Sequence, residues 1–162
     1  ERLEPIKAVT ERPVDAVRNI SVLLRPSMLD DLGLVAALEW QGREVSRHSN
    51  IEVEVKSENV PDDLPDEYRV CVYRLVQEAL NNAVRHSGAR NAVVEVRQSS
   101  GTIQVQVEDD GKGFDPHRTR GLGLLGMEER VKRLGGQLEI TSGPGVSIKA
   151  TLPLPPPHGV EG

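Results

Sequence analysis

The sequence predicts a two-layer α/β sandwich, with helices on one face of a mixed sheet. Apolar residues recur at helical spacing along residues 72–86, and they alternate with polar residues in short segments within 51–55, 92–107 and 138–152. Glycine-containing turns separate these segments. The elements therefore follow the order helix, strand, helix, hairpin, loop, helix, hairpin.

Composition narrows the function classes. At 162 residues the chain suits one domain with a buried core, and a net charge of −5 with 2% aromatic residues argues against a nucleic-acid surface. We find no signal peptide and no apolar run near the roughly 20 residues of a membrane span. The single Cys71 lies in an apolar helical pattern, which predicts a core residue in a reducing compartment, with a redox role as the alternative. Because the chain begins at Glu1 without Met, we expect an excised piece of a longer protein.

The first third of the chain is predicted to contain two helices and a strand. Residues 5–24 have mostly helical spacing, and their apolar stripe would pack either on a partner or on the same domain. Pro26 is predicted to end this helix or to begin a turn, and Asp31 is predicted to cap the next helix. The inner face of that second helix would carry Leu34, Leu38 and Val45. Alternation over residues 51–55 predicts a half-buried strand.

The long central helix follows a loop at residues 61–66 and is predicted to reach about His86, with Gly88 as a left-handed cap. Residues advance about 100° each around a helix, so Glu78, Asn82 and Arg85 share a face. The apolar stripe of this helix comprises Val72, Val76, Ala79, Leu80 and Ala83. The helix can therefore bury one face against a sheet and offer the other to a ligand, although solvated polar residues on a surface helix are the alternative.

The remaining segments predict two hairpins around one helix. Residues 92–107 form a hairpin with a turn at Ser99-Ser100-Gly101, and residues 138–152 form another around the turn at 143–145. Between them, residues 124–134 read as a helix ended by Gly135-Gly136. The tail after Pro153 is predicted to be extended or disordered.

Three glycine-rich segments follow the long helix. They are Asp-Asp-Gly-Lys-Gly-Phe-Asp at 109–115, Gly-Leu-Gly-Leu-Leu-Gly-Met at 121–127, and Gly-Pro-Gly at 143–145. Preceded by Glu78-x-x-x-Asn82, they resemble the asparagine box and the three glycine boxes of the ATP-binding domain of sensor histidine kinases. That domain belongs to the superfamily of gyrase, HSP90 and MutL. The resemblance runs from about residue 15 to Pro153.

Two further segments are similar to the nitrate-sensor and DesK-like branch of these kinases. The first is Leu-Arg-Pro at residues 24–26 with Leu-Asp-Asp-Leu-Gly-Leu at 29–34. The second is Gly-Leu-Leu-Gly-Met-Glu-Glu-Arg at 123–130 with Leu-Gly-Gly at 134–136. The family resemblance implies the Bergerat fold, with ATP and Mg²⁺ as ligands.

The central helix would supply three site residues under this resemblance. Asn82 stands at the position of the metal ligand, where one amide oxygen suffices because Mg²⁺ keeps water and phosphate oxygens as its other ligands. Glu78 would assist phosphate transfer to histidine, with a simple helix salt bridge as the alternative. Arg85 fits the position of a basic residue near the phosphates, or a surface role.

The glycine boxes would hold the nucleotide. Asp109 ends a strand, where its carboxylate can accept a hydrogen bond from the adenine amino group, and Gly111 and Gly113 let the backbone approach the ring. Backbone N–H groups leading into a helix would bind phosphate oxygens. Those residues are Gly121, Leu122, Gly123 and Leu124. Residues 110–122 would form a lid.

Two qualifications concern the glycine boxes. Residues 121–126 also match the dinucleotide fingerprint Gly-x-Gly-x-x-Gly, but that motif needs a preceding strand and here follows a polar loop. Relatives usually carry Thr where this chain has Val146. The hydroxyl that helps to fix the adenine-binding carboxylate is then missing unless Ser147 substitutes, so we expect weaker or altered nucleotide affinity.

The predicted organisation is a dimerisation-helix end and linker at 1–30, an ATP-binding catalytic domain at 31–153 and a Pro-rich tail at 154–162. The expected enzyme is a cytoplasmic protein histidine kinase, membrane-anchored or not at full length. Its expected partners are its own dimerisation domain, a second copy and a response regulator, with neither nucleic acid nor membrane bound by this piece. The four histidines lack the acidic residue that follows a phosphoacceptor, so we expect no autophosphorylation by this piece alone. These histidines are His48, His86, His117 and His158.

Three alternatives remain open at this point. An anti-sigma-factor-type serine kinase would share the fold, although Leu-Arg-Pro at residues 24–26 and the preceding helix argue against it. A non-catalytic module that uses nucleotide to set the shape of its lid is left open by Val146, although Glu78 argues against it. An HSP90- or MutL-like ATPase would need a further domain to contact the phosphates.

Overall fold

Five strands form one mixed sheet in the computed structural model, which describes residues 27–112 and 122–155. The strands are β1 (Glu52–Glu58), β2 (Asn91–Ser99), β3 (Thr102–Asp109), β4 (Gln137–Gly143) and β5 (Gly145–Pro153). Their order across the sheet is β1-β2-β3-β5-β4. Strand β1 runs parallel to β2, and the other neighbouring pairs are antiparallel.

The helices cover one face of this sheet. They are α1 (Ser27–Asp31), α2 (Leu34–His48), α3 (Asp66–Asn82) and α4 (Leu122–Arg133). Helix α2 packs on β1, α3 on β3, and α4 on β4 and β5, while α3 also contacts both α2 and α4. The predicted two-layer α/β sandwich is therefore confirmed.

Strand burial alternates as a one-sided sheet requires. Every second residue of β2, β3 and β5 is buried beneath the helices. These residues are Ala92, Val94, Val96, Ile103, Val105, Val107, Val146, Ile148, Ala150 and Leu152. The opposite face is polar, and there Arg97 Nε donates a hydrogen bond to Gln104 Oε1 at 3.1 Å. This alternation determines which side chains of each strand can reach a site on the helical side of the sheet.

Helix α3 was predicted to run to about His86, and its helical path does continue that far. The α-helix ends at Asn82, and a π-helical turn (Ala83–Ser87) extends it to Gly88. Gly88 adopts the predicted left-handed conformation, with φ of 63°. The wider turn begins directly after Asn82, so ordinary α-helical spacing does not extend from Asn82 to Arg85.

The prediction that Asp31 caps the second helix is wrong. Asp31 is the last residue of the short α1, and α2 begins at Leu34 after Gly33, whose φ is 89°. The connection is a short glycine turn rather than a capped start, because glycine adopts a positive φ without the strain that other residues would incur. The predicted inner face does hold, since Leu34 and Leu38 are buried and Val45 is partly buried.

Other predictions fall on residues outside the described ranges. These are the helix at 5–24, its end at Pro26, most of the lid at 110–122, and the tail beyond residue 155. The domain boundaries therefore stay predictions. In residues 27–112 and 122–155, no helix is both long and apolar enough to cross a membrane.

The turns use the residues that their backbone requires. Ser100 and Gly101 join β2 to β3 with φ of 52° and 76°, the two positive values of a type I′ hairpin turn. After α4, Gly135 has φ of 75°, and a Cβ on Gly136 would lie 2.5 Å from the Thr151 carbonyl oxygen. The turn that follows α4 therefore lies directly against the backbone of β5.

Cys71 is a core residue, as predicted. Its thiol is buried in α3, and burial raises the thiol pKa to about 11, with Arg130 opposing the shift. The protonated thiol is a poor nucleophile near neutral pH.

Replacing Gln41 with Leu is expected to stabilise the fold. Gln41 is 5% exposed, and neither atom of its amide has a hydrogen-bond partner in the described structure. A buried unsatisfied amide costs about 1–3 kcal/mol, so Gln41→Leu should raise the free energy of unfolding by a similar amount. Urea denaturation would measure this, with Glu39→Leu at an exposed position of α2 as the control. A loss of stability in Gln41→Leu would show that the amide is hydrogen-bonded.

Candidate nucleotide site

Four elements meet at one end of the helical layer. Helix α3 contacts β3 and α4, and the π-helical turn after α3 contacts β5. In the sheet, Asp109 at the end of β3 pairs with Val146 near the start of β5. Helix α3 and its π-helical turn therefore contact β3, β5 and α4, the elements that carry the predicted glycine boxes.

Helix α3 presents polar side chains beside its buried face. Val76, Ala79 and Leu80 are buried toward the sheet, whereas Glu78 and Asn82 are half-buried. Glu78 and Asn82 lie four residues apart within regular α-helix, so they share a face as predicted. Arg85 lies in the π-helical turn, and its side chain is exposed.

Glu78 reaches across to the first turn of α4. Its carboxylate lies where the side chain of residue 123 would be. A Cβ built on Gly123 would overlap Oε2 and would lie 2.5 Å from the carboxyl carbon and 3.1 Å from Oε1. The structure therefore brings together Glu78 and Gly123, two residues that are 45 positions apart in the sequence.

Asp109 is the last residue of β3. It follows the buried Val107 at the two-residue repeat of the strand, so it belongs to the helical face. Its Oδ1 accepts a hydrogen bond from the Gly111 N–H at 2.9 Å. This short turn fixes the carboxylate and starts the segment that leads toward the predicted lid.

Gly145 allows β5 to approach Asp109. Its φ is 97°, and a Cβ at this position would overlap the carbonyl oxygen of Asp109 and would lie 3.4 Å from the carbonyl carbon. Both the backbone conformation and the close contact thus require glycine. An open cavity of about 320 Å³ lies at this sheet end, with Asp109, Gly145 and Val146 among its lining residues.

The pairing register of β3 and β5 shows whether Ser147 can replace the hydroxyl that is missing at Val146. Val146 pairs with Asp109 and is 5% exposed on the helical face, whereas Ser147 pairs with Glu108 on the opposite face. The Ser147 Oγ accepts a hydrogen bond from Gln106 Nε2 at 3.1 Å on that opposite face. Ser147 therefore does not substitute, and the position beside Asp109 is apolar.

Asp110 is a residue whose role the sequence reasoning missed. Its side chain is exposed, yet its Oδ1 accepts hydrogen bonds from the N–H groups of Arg90 and Asn91 at 2.8 and 2.9 Å. Its Oδ2 accepts another from Asn91 Nδ2 at 2.9 Å. The Asn91 side chain and these backbone N–H groups lower the Asp110 pKa to about 2. The pairing ties the start of β2 to the turn that carries Asp109.

The remaining predicted residues are only partly described. Gly113 and Gly121 lie outside the described residues, while the backbone of Leu122 and Leu124 belongs to the first turn of α4. Among the described residues, no cluster of three or more histidine, cysteine or acidic side chains could hold a metal ion.

The chain is similar in sequence to a family of ATPases and to known sensor kinases. The sequence profile of the histidine kinase-, DNA gyrase B-, and HSP90-like ATPase family matches residues 67–156. The chain is 36% identical over 146 residues to sensor histidine kinase MctS of Rhizobium johnstonii, covering 86% of this chain and 32% of that protein. It is 32% identical over 158 residues to the signal transduction histidine-protein kinase/phosphatase DegS of Brevibacillus brevis, covering 95% and 41%.

A solved structure shows the same architecture. The blue-light activated histidine kinase of Erythrobacter litoralis has a TM-score of 0.61 and 30% identity, covering 75% of this chain and 42% of that one. The chain spans about a third to two fifths of the length of the two curated relatives.

Substituting Gly145 is expected to disturb the sheet end. Gly145→Ala must change both a positive φ and the contact with Asp109, so we expect a loss of about 1–3 kcal/mol in unfolding free energy and weaker ATP binding. Gly143→Ala is the matched control, since a Cβ there meets nothing within 4 Å. Urea denaturation and titration with a fluorescent ATP analogue would measure both effects. Equal behaviour of the two variants would contradict the Gly145 contact.

Asp110 should make stability depend on pH. The folded-state pKa of about 2 lies below the usual carboxyl value of about 3.9, so its contribution is present above pH 4 and is lost as pH falls toward 2. Asp110→Asn should therefore lower Tm at pH 6, and its difference from the parent should shrink between pH 4 and pH 2. Glu108→Gln removes the same charge from a neighbouring exposed residue and serves as the control. A pH-independent difference for Asp110→Asn would rule out this assignment.

Proposed function

Because the chain belongs to the family of histidine kinase-, DNA gyrase B-, and HSP90-like ATPases, we propose that it is the ATP-binding catalytic domain of a two-component sensor histidine kinase. The proposed reaction transfers the γ-phosphate of ATP to a histidine on a dimerisation domain, for relay to a response regulator. The observation that carries this proposal is the contact of the Glu78 carboxylate with the first turn of α4, made by a helix that also packs on β3, the strand that ends at Asp109.

Asp109 is proposed to select the adenine ring. Its carboxylate ends β3 on the helical face and would accept a hydrogen bond from the adenine amino group. Gly111 and Gly113 would let the backbone pass close to the ring. Val146 replaces a hydroxyl beside Asp109 with an apolar side chain, so the carboxylate depends more on its bond from the Gly111 N–H.

The first turn of α4 is proposed to hold the phosphates. The backbone N–H groups at a helix start lack partners within the helix and point along its positive end, which favours a phosphate. These groups would come from Gly121, Leu122, Gly123 and Leu124. The exposed Arg85 would add a positive charge at the edge of the site.

Asn82 is proposed to ligate Mg²⁺ through its amide oxygen. An amide oxygen is a suitable ligand, because Mg²⁺ prefers oxygen and commonly takes only one or two ligands from the protein. Phosphates and water supply the others. Bound Mg²⁺ would neutralise charge on the phosphate oxygens. Asn82 would hold this charge one helical turn from Glu78.

Glu78 is proposed as the catalytic base. Its carboxylate would orient the acceptor imidazole and take its proton as the nitrogen attacks the γ-phosphorus. The bond from phosphorus to the bridging oxygen then breaks, and ADP leaves. A positioned base of this kind contributes about 10²–10⁴-fold to a rate.

The rest of the proposed assignment concerns the longer protein. We place the chain in the nitrate-sensor and DesK-like branch on the strength of residues 24–34 and 123–136. A dimerisation domain carrying the phosphoacceptor, a second copy of the protein and a response regulator would be its partners, in the cytoplasm.

A non-catalytic nucleotide-binding module is the second candidate. The apolar Val146 opposite Asp109 favours it, since a site that only senses nucleotide tolerates weaker binding. The two functions separate experimentally, because a sensing module would bind ATP without transferring phosphate to a supplied dimerisation domain. Transfer to serine instead of histidine would identify the serine-kinase alternative.

Asn82→Ala is expected to weaken Mg-ATP binding by about tenfold, or about 1.4 kcal/mol, and to remove its dependence on Mg²⁺. The reason is that its amide oxygen is the proposed protein ligand of the ion. Calorimetric titration with and without Mg²⁺ would measure this. Asn81→Ala is the matched control, because that amide lies about 100° away around α3.

Three results are possible in this titration. Lost Mg²⁺ dependence in Asn82→Ala alone supports the proposed ligand. Equal loss in both variants contradicts it. A folded parent chain that binds no ATP would contradict the proposed function itself.

A further inference from the structure

The backbone conformation at residue 123 does not require glycine. It is the second residue of α4 and is not among the residues with positive φ. A glycine inside a helix costs about 1 kcal/mol relative to alanine, so alanine would suit the backbone better. The reason for glycine at this position must therefore lie in what surrounds it.

The surrounding group is the Glu78 carboxylate. A Cβ at residue 123 would overlap Oε2, with the carboxyl carbon only 2.5 Å away. Gly126, one turn later in the same helix, differs, because a Cβ there meets nothing closer than Arg130 Nη1 at 3.6 Å. Of these two helical glycines, only Gly123 makes room for a side chain of α3.

We propose that Gly123 is the positioning residue for Glu78, holding the catalytic carboxylate against the first turn of α4 by leaving its own side-chain space empty. This inference rests on the proposed function, and it assigns Gly123 a second role besides the backbone N–H that it offers to phosphate. The positive end of α4 favours a carboxylate at this place. The same helix start would thus fix both the base and the phosphate group that the acceptor histidine attacks.

We expect a side chain at residue 123 to displace the Glu78 carboxylate rather than to unfold the protein. The overlapping atoms are at the end of a flexible side chain, so an alanine methyl at residue 123 moves the carboxylate and leaves the helices packed. A shift of about 1 Å in a reacting group can cost on the order of 100-fold in rate. Gly123→Ala should therefore lower kcat for phosphate transfer by about 10- to 100-fold, while the Kd for Mg-ATP stays within about threefold of the parent.

The first measurements use the nucleotide-free chain. The ¹³C resonance of the Glu78 carboxyl carbon should shift in Gly123→Ala and stay in place in Gly126→Ala. Gly126→Ala should also raise Tm by about 2–4 °C, the gain of alanine over glycine in a helix, whereas Gly123→Ala should gain less because the carboxylate is displaced.

The second measurement is a double-mutant cycle on phosphate transfer to a supplied dimerisation domain. In a Glu78→Gln background no carboxylate remains to be positioned, so adding Gly123→Ala should cause no further loss of the residual kcat. A purely structural role for Gly123 would lower kcat by the same factor in both backgrounds.

Each outcome decides the proposal. An unshifted Glu78 resonance, an unchanged kcat in Gly123→Ala, or equal losses in both backgrounds would overturn it. A large loss of ATP affinity with unchanged kcat would also overturn it, because Gly123 would then serve only the phosphates. A folded parent that transfers no phosphate would contradict the proposed function, and in that case the Glu78 resonance alone decides the contact.

Discussion

Burial of the apolar face of α3 is the constraint on which the site depends. On this helix, Val72, Val76 and Leu80 are at most 1% exposed. Burying side chains of this size contributes about 1.5–3 kcal/mol each to the free energy of unfolding. Rotating α3 to redirect Glu78 or Asn82 would expose them to water. The sheet therefore fixes the direction of the polar face of α3, and the chemistry that we propose for that face uses a geometry set by the core.

Close approach between elements adds the precision that packing alone does not supply. At Gly145 the start of β5 passes against the Asp109 backbone, and at Gly123 the first turn of α4 passes against the Glu78 carboxylate. Their neighbours Gly126 and Gly143 have no such contact. The backbone of Asp109 thus requires glycine at residue 145, whereas Gly123 leaves the space that the Glu78 carboxylate occupies.

Sequence periodicity predicted the layers, the hairpins and α3, because alternation and helical spacing follow directly from which face is buried. Local signals were less informative. Asp31 has the chemistry of a cap, yet Gly33 makes the turn. No local pattern indicates the hydrogen bonds of Asp110, because its partners, Arg90 and Asn91, are twenty and nineteen positions away. Whether Ser147 could replace a hydroxyl needed the strand register, since one residue of offset moves a side chain to the other face.

The most direct test of the account is a crystal structure of this chain with Mg²⁺ and a non-hydrolysable ATP analogue. The proposed site places the adenine amino group within hydrogen-bonding distance of Asp109, phosphate oxygens at the N–H groups of the first turn of α4, and the metal ion on the Asn82 amide oxygen. A nucleotide bound elsewhere, or one whose adenine ring leaves Asp109 without contact, would contradict it.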